Sequence, residues 1–279
     1  MSAVRRQLDP QRWHFQHGPI DLIIQALGRA DAVAGAFERA WQRFGTVLAE
    51  LVGELPALRR PVASGTCPLQ GPIARSMWSA CRPFHPAFVT PMAAVAGGVA
   101  QEIVSSFADD GVERAFVNNG GDIALWLAPG ASIRVAVCQL NEPNQQTQLP
   151  GDYLLVDAAS PVRGIATSGW RGRSLSMGIA DAVTVTAASA AQADAAATMI
   201  GNAVSCDDPA IARRPASELV DDSDLGEQLV TAQVGRLAPV MVDAALDRGQ
   251  ALASSLLEQG LIVSALLALQ GQSRIVSQR

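Results

Sequence analysis

Lysine is absent: all 21 basic residues are arginine. That excludes Schiff-base chemistry and any phosphate loop built on lysine. The omission itself has a bland explanation in a GC-rich coding sequence, since Ala and Gly run high beside it. Aromatic residues make up only 5%, with a single Tyr, too few for the stacking platforms of single-stranded nucleic-acid binders. A net charge of −5 is too mild to argue for nucleic acid or for an acidic membrane face. The four cysteines, Cys67, Cys81, Cys138 and Cys206, form no CxxC pair and no disulfide framework. No apolar run approaches the ~20 residues of a membrane span; the longest, Leu261 to Leu269, has the length of a buried strand. Met1 to Phe15 is charged and lacks the apolar stretch of a signal peptide, so the sequence predicts a cytoplasmic protein.

What is present is a chain of 279 residues, 49% hydrophobic, long enough to bury a substantial core. Trp13 to Gln16 and Ile20 to Ala26 predict an opening hairpin. Val33, Phe37, Ala40, Trp41, Phe44, Val47, Leu48, Leu51, Val52 and Leu55 recur at three and four residues, the spacing of one helix face, and Pro56 is expected to end that helix. Arg59 to Pro86 looks irregular. A second helix is expected from Thr90-Pro91, with the threonine hydroxyl as cap and proline at the first helical position.

Strands are expected at Ala115 to Val117, Ile123 to Leu127, Ile133 to Val137, Tyr153 to Asp157, Gly164 to Ser168 and Ala182 to Ala187. Ser189 is expected to cap an alanine-rich helix running to about Val204. Cys206 to Gly226 looks like an acidic surface loop. Pro239 to Gln259 predicts a helix stopped by Gly260, followed by strands at Leu261 to Leu269 and Ser273 to Val276. The order lacks regular strand–helix alternation and indicates an α+β fold.

Several segments carry groups suited to chemistry. Asn119-Gly120-Gly121-Asp122 follows a strand; its glycines let backbone approach a ligand, and Asp122 adds a carboxylate, though an ordinary turn accounts for the same residues. Gly164 to Ser174 offers the hydroxyls of Thr167 and Ser168, the open backbone of Gly169 and Gly172, and the cations Arg171 and Arg173. Such a loop can hold phosphate oxygens, or be simply a polar turn. Asp194 and Thr198 lie four apart, on one helix face, and suit a hard cation such as Mg²⁺; an exposed Asp and a back-bonded Thr would look the same. Asp181 and His85 are further acid/base candidates. A zinc site joining His85 to Cys67 and Cys81 matches no strong ligand spacing.

Together these segments resemble the ApbE superfamily of flavin-transferase-related proteins, over about Trp13 to Val276. The resemblance is carried by Thr90 to Gly97 (TPMAAVAG), Asn119 to Asp122 (NGGD), Gly164 to Gly169 (GIATSG), Ala180 to Val185 (ADAVTV) and Ala193 to Thr198 (ADAAAT). It is closest to a little-characterised bacterial and archaeal branch. It implies one ApbE-like domain over residues 1–279, built from two related, intertwined lobes of antiparallel sheet packed with helices. It also implies FAD or FMN bound around Asn119, Gly120, Gly121, Thr167, Ser168, Gly169 and Arg173, with Mg²⁺ held by Asp194 and Thr198.

The chain departs from the flavin transferases at Gly97, where they carry lysine, at Glu102, where they carry aspartate, and at Arg173 to Gly178, which lacks their histidine and proline. Three functions therefore stand side by side: a flavin-nucleotide or other phosphorylated-ligand protein with Mg²⁺, akin to an FAD-dependent FMN transferase; a non-flavin enzyme using His85, Asp122 or Asp181; and a binding module without catalysis. A small-molecule or nucleotide ligand is expected, with no membrane or nucleic-acid partner, and a homo-oligomer is compatible with the sequence.

Overall fold

The computed structural model describes residues 2–136 and 153–278, together with the backbone of the strands at 139–142 and 145–147. The chain opens with β1 (Val4–Asp9), β2 (Arg12–His17) and β3 (Ile20–Gly28), then the long helix α1 (Ala30–Leu58) and the short α2 (Pro72–Cys81). A single 3₁₀ turn, Pro91–Ala94, leads into α3 (Val95–Val104). The hairpin β4 (Val112–Asn119) and β5 (Asp122–Leu127) follows. Next come β6 (Ser132–Ala136), β7 (Gln139–Glu142), β8 (Gln145–Thr147), β9 (Tyr153–Asp157), β10 (Gly164–Ser168) and β11 (Ala182–Ala187). Helix α4 (Ala190–Ala203), β12 (Ile211–Pro215), β13 (Leu229–Val234), α5 (Pro239–Glu258), β14 (Ser264–Leu269) and β15 (Gln272–Ser277) complete the fold.

Among the described residues, nine strands form one antiparallel sheet in the order β1-β2-β3-β4-β5-β10-β11-β14-β15. The order is that of two like halves. Each is a hairpin, then helices, then a second hairpin laid beside the first: β2β3 and β4β5 in one, β10β11 and β14β15 in the other. This is the α+β architecture of paired antiparallel lobes expected from the sequence. Each half has its own core. Phe15, Leu22, Ile24, Phe44, Ile103 and Phe107 fill the first, under α1 to α3; Val183, Val185, Ile200, Leu246 and Leu267 fill the second, under α4 and α5. A third cluster, Leu125, Leu127, Val156, Val162 and Ile165, seals the junction on another face, where β6 and β9 pair.

Where the halves join, β5 and β10 pair only through Gly164 with Ala124 and Ile165 with Ile123. Beyond that the strands part, and the opening is the mouth of a cleft. Helix α4 packs behind it. Ser189 Oγ accepts the Gln192 amide as the cap that the sequence predicts. Ala191, Ala193, Ala195, Ala196 and Ala197 are buried, so the helix can sit close to α3 and to the sheet.

Four expectations need correction, and one strand was not foreseen. Helix α1 runs through Pro56 to Leu58, because Leu58 is fully buried and the last turn follows it into the core. The stretch 59–86 contains α2, whose start at Gly71-Pro72 is hidden among other Pro and Gly residues, although Ile73, Ala74, Met77, Trp78 and Cys81 form a buried face. Thr90 does not cap a helix: its hydroxyl donates to Asp224 instead. The segment 206–226 is not only a loop, since it contributes β12, paired with β13. The charged N-terminal stretch contains β1, whose Arg5 guanidinium sits 5.4 Å from the Trp13 ring and 5.1 Å from the Trp41 ring and pairs with Glu38 at 2.6 Å.

Candidate functional site

The cleft is made of two adjoining cavities. The smaller, about 200 Å³, is lined by Asn119, Gly120, Thr167, Ser168 and Gly169 among others. The larger, about 470 Å³, is walled by Met92, Leu175, Met177 and Met199 and by the segment from Val220 to Leu225. Ala96, Asp122, Arg173, Ser174, Asp194 and Thr198 line both and so form the junction.

Asp122 owes its place to the β4–β5 turn. Asn119 pairs with Asp122 across a two-residue loop, with Gly120 at φ 66° and Gly121 at φ 120°. Such a turn demands positive φ at both positions, which glycine supplies without strain. Asn118 Oδ1 accepts the Gly121 amide at 2.8 Å and locks the turn. Asn119 Nδ2 donates to Ala96 O at 3.1 Å, tying the turn to the start of α3. Asp122 Oδ1 accepts the Thr167 amide at 3.2 Å, just past the point where the β5–β10 ladder stops.

Asp194 enters from α4. Its Oδ2 accepts the Gly97 amide at 2.9 Å. Ala94, the residue before α3, makes no side-chain cap, so Asp194 caps that helix from across the interface and meets the positive end of its dipole. Burial nonetheless dominates its ionisation: desolvation first, and the nearby Asp122 charge second, hold its carboxyl well above the ordinary carboxylate range, against the lowering effect of the Gly97 and Ala96 amides. Asp122 is pushed up to about 7, also by burial, with the Thr167 amide opposing. Two neighbouring carboxyls, both reluctant to ionise, are therefore set on the floor of the cleft, with Thr198 one turn along α4 from Asp194.

These groups fit a hard divalent cation: the donors are oxygens, and a positive charge would relieve both the desolvation and the mutual repulsion. Among the described residues no three His, Cys, Asp or Glu side chains converge as metal ligands. A cation here would thus draw ligands from Thr198, backbone, water or a bound phosphate as well. Among the described residues, His85, Cys67 and Cys81 do not form such a group either. The Cys81 thiol is buried and donates to Thr90 O at 3.4 Å, while Cys138 lies outside the described residues.

Arg173 lies at the rim of the junction, its Nη1 3.5 Å from where a Cβ on Gly120 would be. It has no hydrogen-bond or ion-pair partner among the described residues. Its neighbour Arg171 is tied down. Asp181 Oδ1 accepts from Arg171 Nε at 2.8 Å and from Trp170 Nε1 at 3.2 Å, and Asp181 Oδ2 accepts the Gln270 amide at 2.6 Å. Asp181 is therefore not a free acid/base group in the cleft; its oxygens hold the Gly169–Arg173 turn against β14. His85 is also displaced from the expected role: it is exposed, beside Pro86, and lines neither cavity. Glu102 lies in an ion-pair network with Arg43, which also binds Glu50.

Two lining residues went unnoticed in the sequence. Asn202 continues the Asp194–Thr198 face by another four residues, a spacing that identifies it in retrospect. Asp224 lies far away in sequence and carries no spacing signal at all.

A UPF0280 protein of Methanothrix thermoacetophila is 36% identical over 137 residues, 49% of this chain and 54% of that protein. A UPF0280 protein of Methanococcus vannielii is 42% identical over 125 residues, 44% of this chain and 49% of that protein. The matched region thus spans about half the length of these curated relatives. Among solved structures, the apo flavinyl transferase ApbE of Pseudomonas stutzeri superposes with a TM-score of 0.47 at 12% identity, covering 99% of this chain and 94% of that one. The family model described as "AbpE bacteria" matches residues 4–275, almost the entire chain, and the chain belongs to that ApbE-related family.

Proposed function

We propose that the chain binds a phosphorylated ligand of the flavin-nucleotide class together with Mg²⁺ in the cleft between its two halves. The observation that carries this reading is the Asp122–Asp194 pair: two neighbouring carboxyls that burial, and for Asp194 also the Asp122 charge, hold above their ordinary range, beside the Thr198 hydroxyl. A buried pair of this kind is relieved by a cation, and Mg²⁺ typically completes its shell with water and substrate phosphate. Arg173, unpartnered at the rim, supplies a guanidinium fork for phosphate oxygens. The glycine turn and the Thr167–Gly169 backbone give the phosphates room to approach. The choice of flavin rests on the order of the NGGD, TSG and Asp194/Thr198 motifs.

The reading covers binding. The position where flavin transferases carry lysine is here Gly97, and a Cβ at that residue would lie 2.2 Å from Ala190 O. Transfer of FMN, if this protein performs it, uses other groups. The test is a fluorescence titration of FAD and FMN with and without Mg²⁺, on the wild type and on Asp194→Asn. Saturable binding that needs Mg²⁺ and is lost in Asp194→Asn supports the proposal; binding that ignores both Mg²⁺ and the substitution refutes it.

One observation favours a second reading. A carboxyl poised near neutrality is what general acid/base catalysis uses, and burial pushes Asp122 up to about 7. On this reading the scaffold handles a non-flavin substrate, and turnover follows a titration near that pH that Asp122→Asn abolishes.

A further inference from the structure

We propose that the segment 219–226, between β12 and β13, is a lid on the larger cavity, and that the hydrogen bond from Thr90 to Asp224 is the latch that keeps it shut. The lid governs access to that cavity whichever ligand the cavity takes.

The base of the segment is fixed to the second half. Thr231 of β13 donates its hydroxyl to Gly178 O at 2.8 Å and its amide to Ser176 O at 2.7 Å. Strand β12 pairs with β13, and Ile211 of β12 is buried in the second core. Beyond that base the chain leaves the core. Leu219, Val220 and Leu225 join none of the three apolar clusters, and Val220 is 47% exposed. Among the described residues, the backbone hydrogen bonds of the segment all close within 216–228. The Leu219 and Val220 amides donate to Ala216 O, and the Gly226 amide donates to Ser223 O. A segment with so little apolar burial stands at the low end of local stability.

Yet this segment walls the larger cavity from Val220 to Leu225. Two side chains carry it across to the first half. Asp224 Oδ2 accepts the Thr90 hydroxyl, and Asp222 lies 3.9 Å from the Arg59 guanidinium. These are the hydrogen bonds and ion pairs that join it to the first half among the described residues.

The two tethers are unequal. The Arg59–Asp222 pair is long and exposed, and such pairs contribute little. The Thr90 bond joins a buried hydroxyl to a carboxylate, which is the stronger kind. Thr90 itself stands on rigid ground. It is 2% exposed, its carbonyl accepts the Cys81 thiol, and its neighbour Val89 is buried in the first core. Its hydroxyl would ordinarily cap the turn that follows, and it reaches across 134 residues of sequence to Asp224 instead. A fixed base, a tip outside every core and one strong polar tether to the opposite half are the parts of a lid. Releasing that tether frees the tip while the base stays in place.

Two readouts on the full chain test this without any ligand or metal. The first is hydrogen exchange, followed by mass spectrometry, in peptides covering 219–226. Thr90→Val and Asp224→Ala are expected to speed exchange there at least about tenfold, the loss of one hydrogen bond to a charged group. Peptides from β13 and α4 are expected to keep wild-type rates. Thr90→Ser, which keeps the hydroxyl, is expected to keep the protection. The second readout is alkylation by pyrene maleimide, a bulky reagent, of a thiol placed on the cavity wall by Met199→Cys. Adding Thr90→Val is expected to raise labelling at position 199 by about tenfold and to leave labelling of Cys67 unchanged.

The lid is refuted if both latch variants, folded by their melting curves, exchange at the wild-type rate in 219–226. It is refuted too if the thiol at position 199 reacts equally fast with and without the Thr90 hydroxyl. Exchange that quickens by the same factor in β13 and α4 also overturns it, because the bond would then hold the whole fold. Since neither assay contains metal or nucleotide, failure of the lid leaves the Asp122–Asp194 site standing, and failure of that site leaves the lid.

Discussion

The backbone amide of Gly97 donates to Oδ2 of Asp194 at 2.9 Å, and this contact helps join the first turn of α3 to the face of α4 that lines the cleft. It requires glycine. A Cβ at position 97 would lie 2.2 Å from Ala190 O and 2.9 Å from the Asp194 Cβ, so the two helices meet at a distance that no other residue allows. Gly97→Ala is expected to cost roughly 1–3 kcal/mol, the usual penalty for overpacking. Because it pushes Asp194 outward, it should also weaken Mg²⁺ binding. Urea unfolding and Mg²⁺ titration of the same variant check both; full stability with full Mg²⁺ affinity would show that the helices tolerate separation.

The acid pair makes a prediction about pH. In the unfolded chain an aspartate gives up its proton near ~3.9. In the fold Asp122 keeps it to about 7, and Asp194 is also held well above the ordinary range. Between about pH 4 and 7 the native state then binds more protons than the unfolded state, so stability falls as pH rises through this window. Melting temperatures measured in chelator should decline from mildly acid to neutral pH. Mg²⁺, which competes with those protons, should raise the melting temperature more at pH 8 than at pH 5. Asp122→Asn should flatten the decline. A stability that climbs from pH 5 to 8 without metal contradicts the ionisation state described for the pair.

Asp181 is predicted to act through Arg173. Its carboxylate gathers Trp170, Arg171 and the Gln270 amide, and so fixes the turn that aims Arg173 at the junction. Asp181→Ala and Arg173→Ala should each weaken phosphate-ligand binding by roughly tenfold, with little further loss when combined, because both remove the same contact. Calorimetry on the two single variants and the double variant decides: additive losses would mean that Asp181 has an independent role.

At the N-terminal edge, the Arg5 guanidinium lies against Trp13 and Trp41 and holds β1 over α1. Arg5→Ala should shift tryptophan emission to the red as both rings gain solvent, at a stability cost of about 1 kcal/mol. An unchanged spectrum would place the strand's attachment elsewhere.

Much of this molecule was legible because its signals are local. The stripe from Val33 to Leu55 is dense enough to declare α1, the Gly120-Gly121 pair specifies its turn, and Ser189 caps α4 where a serine before an alanine run should. Asp122, Asp194 and Thr198 were legible for the same reason, each standing in a short motif. What stayed hidden depends on distant partners. Helix α2 is obscured by the prolines and glycines around it. Strand β1 carries Arg5, Arg6 and Asp9, and only the tryptophans and glutamate that Arg5 meets in three dimensions explain its charge. Strands β12 and β13 stabilise each other and show weak alternation alone. Thr90 has every local mark of a cap, and only the fold reveals that Asp224 takes its hydroxyl. Asp181 looks like a free acid until Trp170, Arg171 and Gln270 are placed around it.

The central claim is that the Asp122–Asp194 pair holds a divalent cation at the junction of the cleft. Crystals grown with Mn²⁺ and a phosphorylated nucleotide, measured at the manganese edge, test it most directly. The account predicts an anomalous peak between the two carboxylates, within coordination distance of Asp194 and beside Thr198, with a ligand phosphate completing the shell. A nucleotide bound in the cleft with no peak there, or a peak at another set of residues, would contradict it.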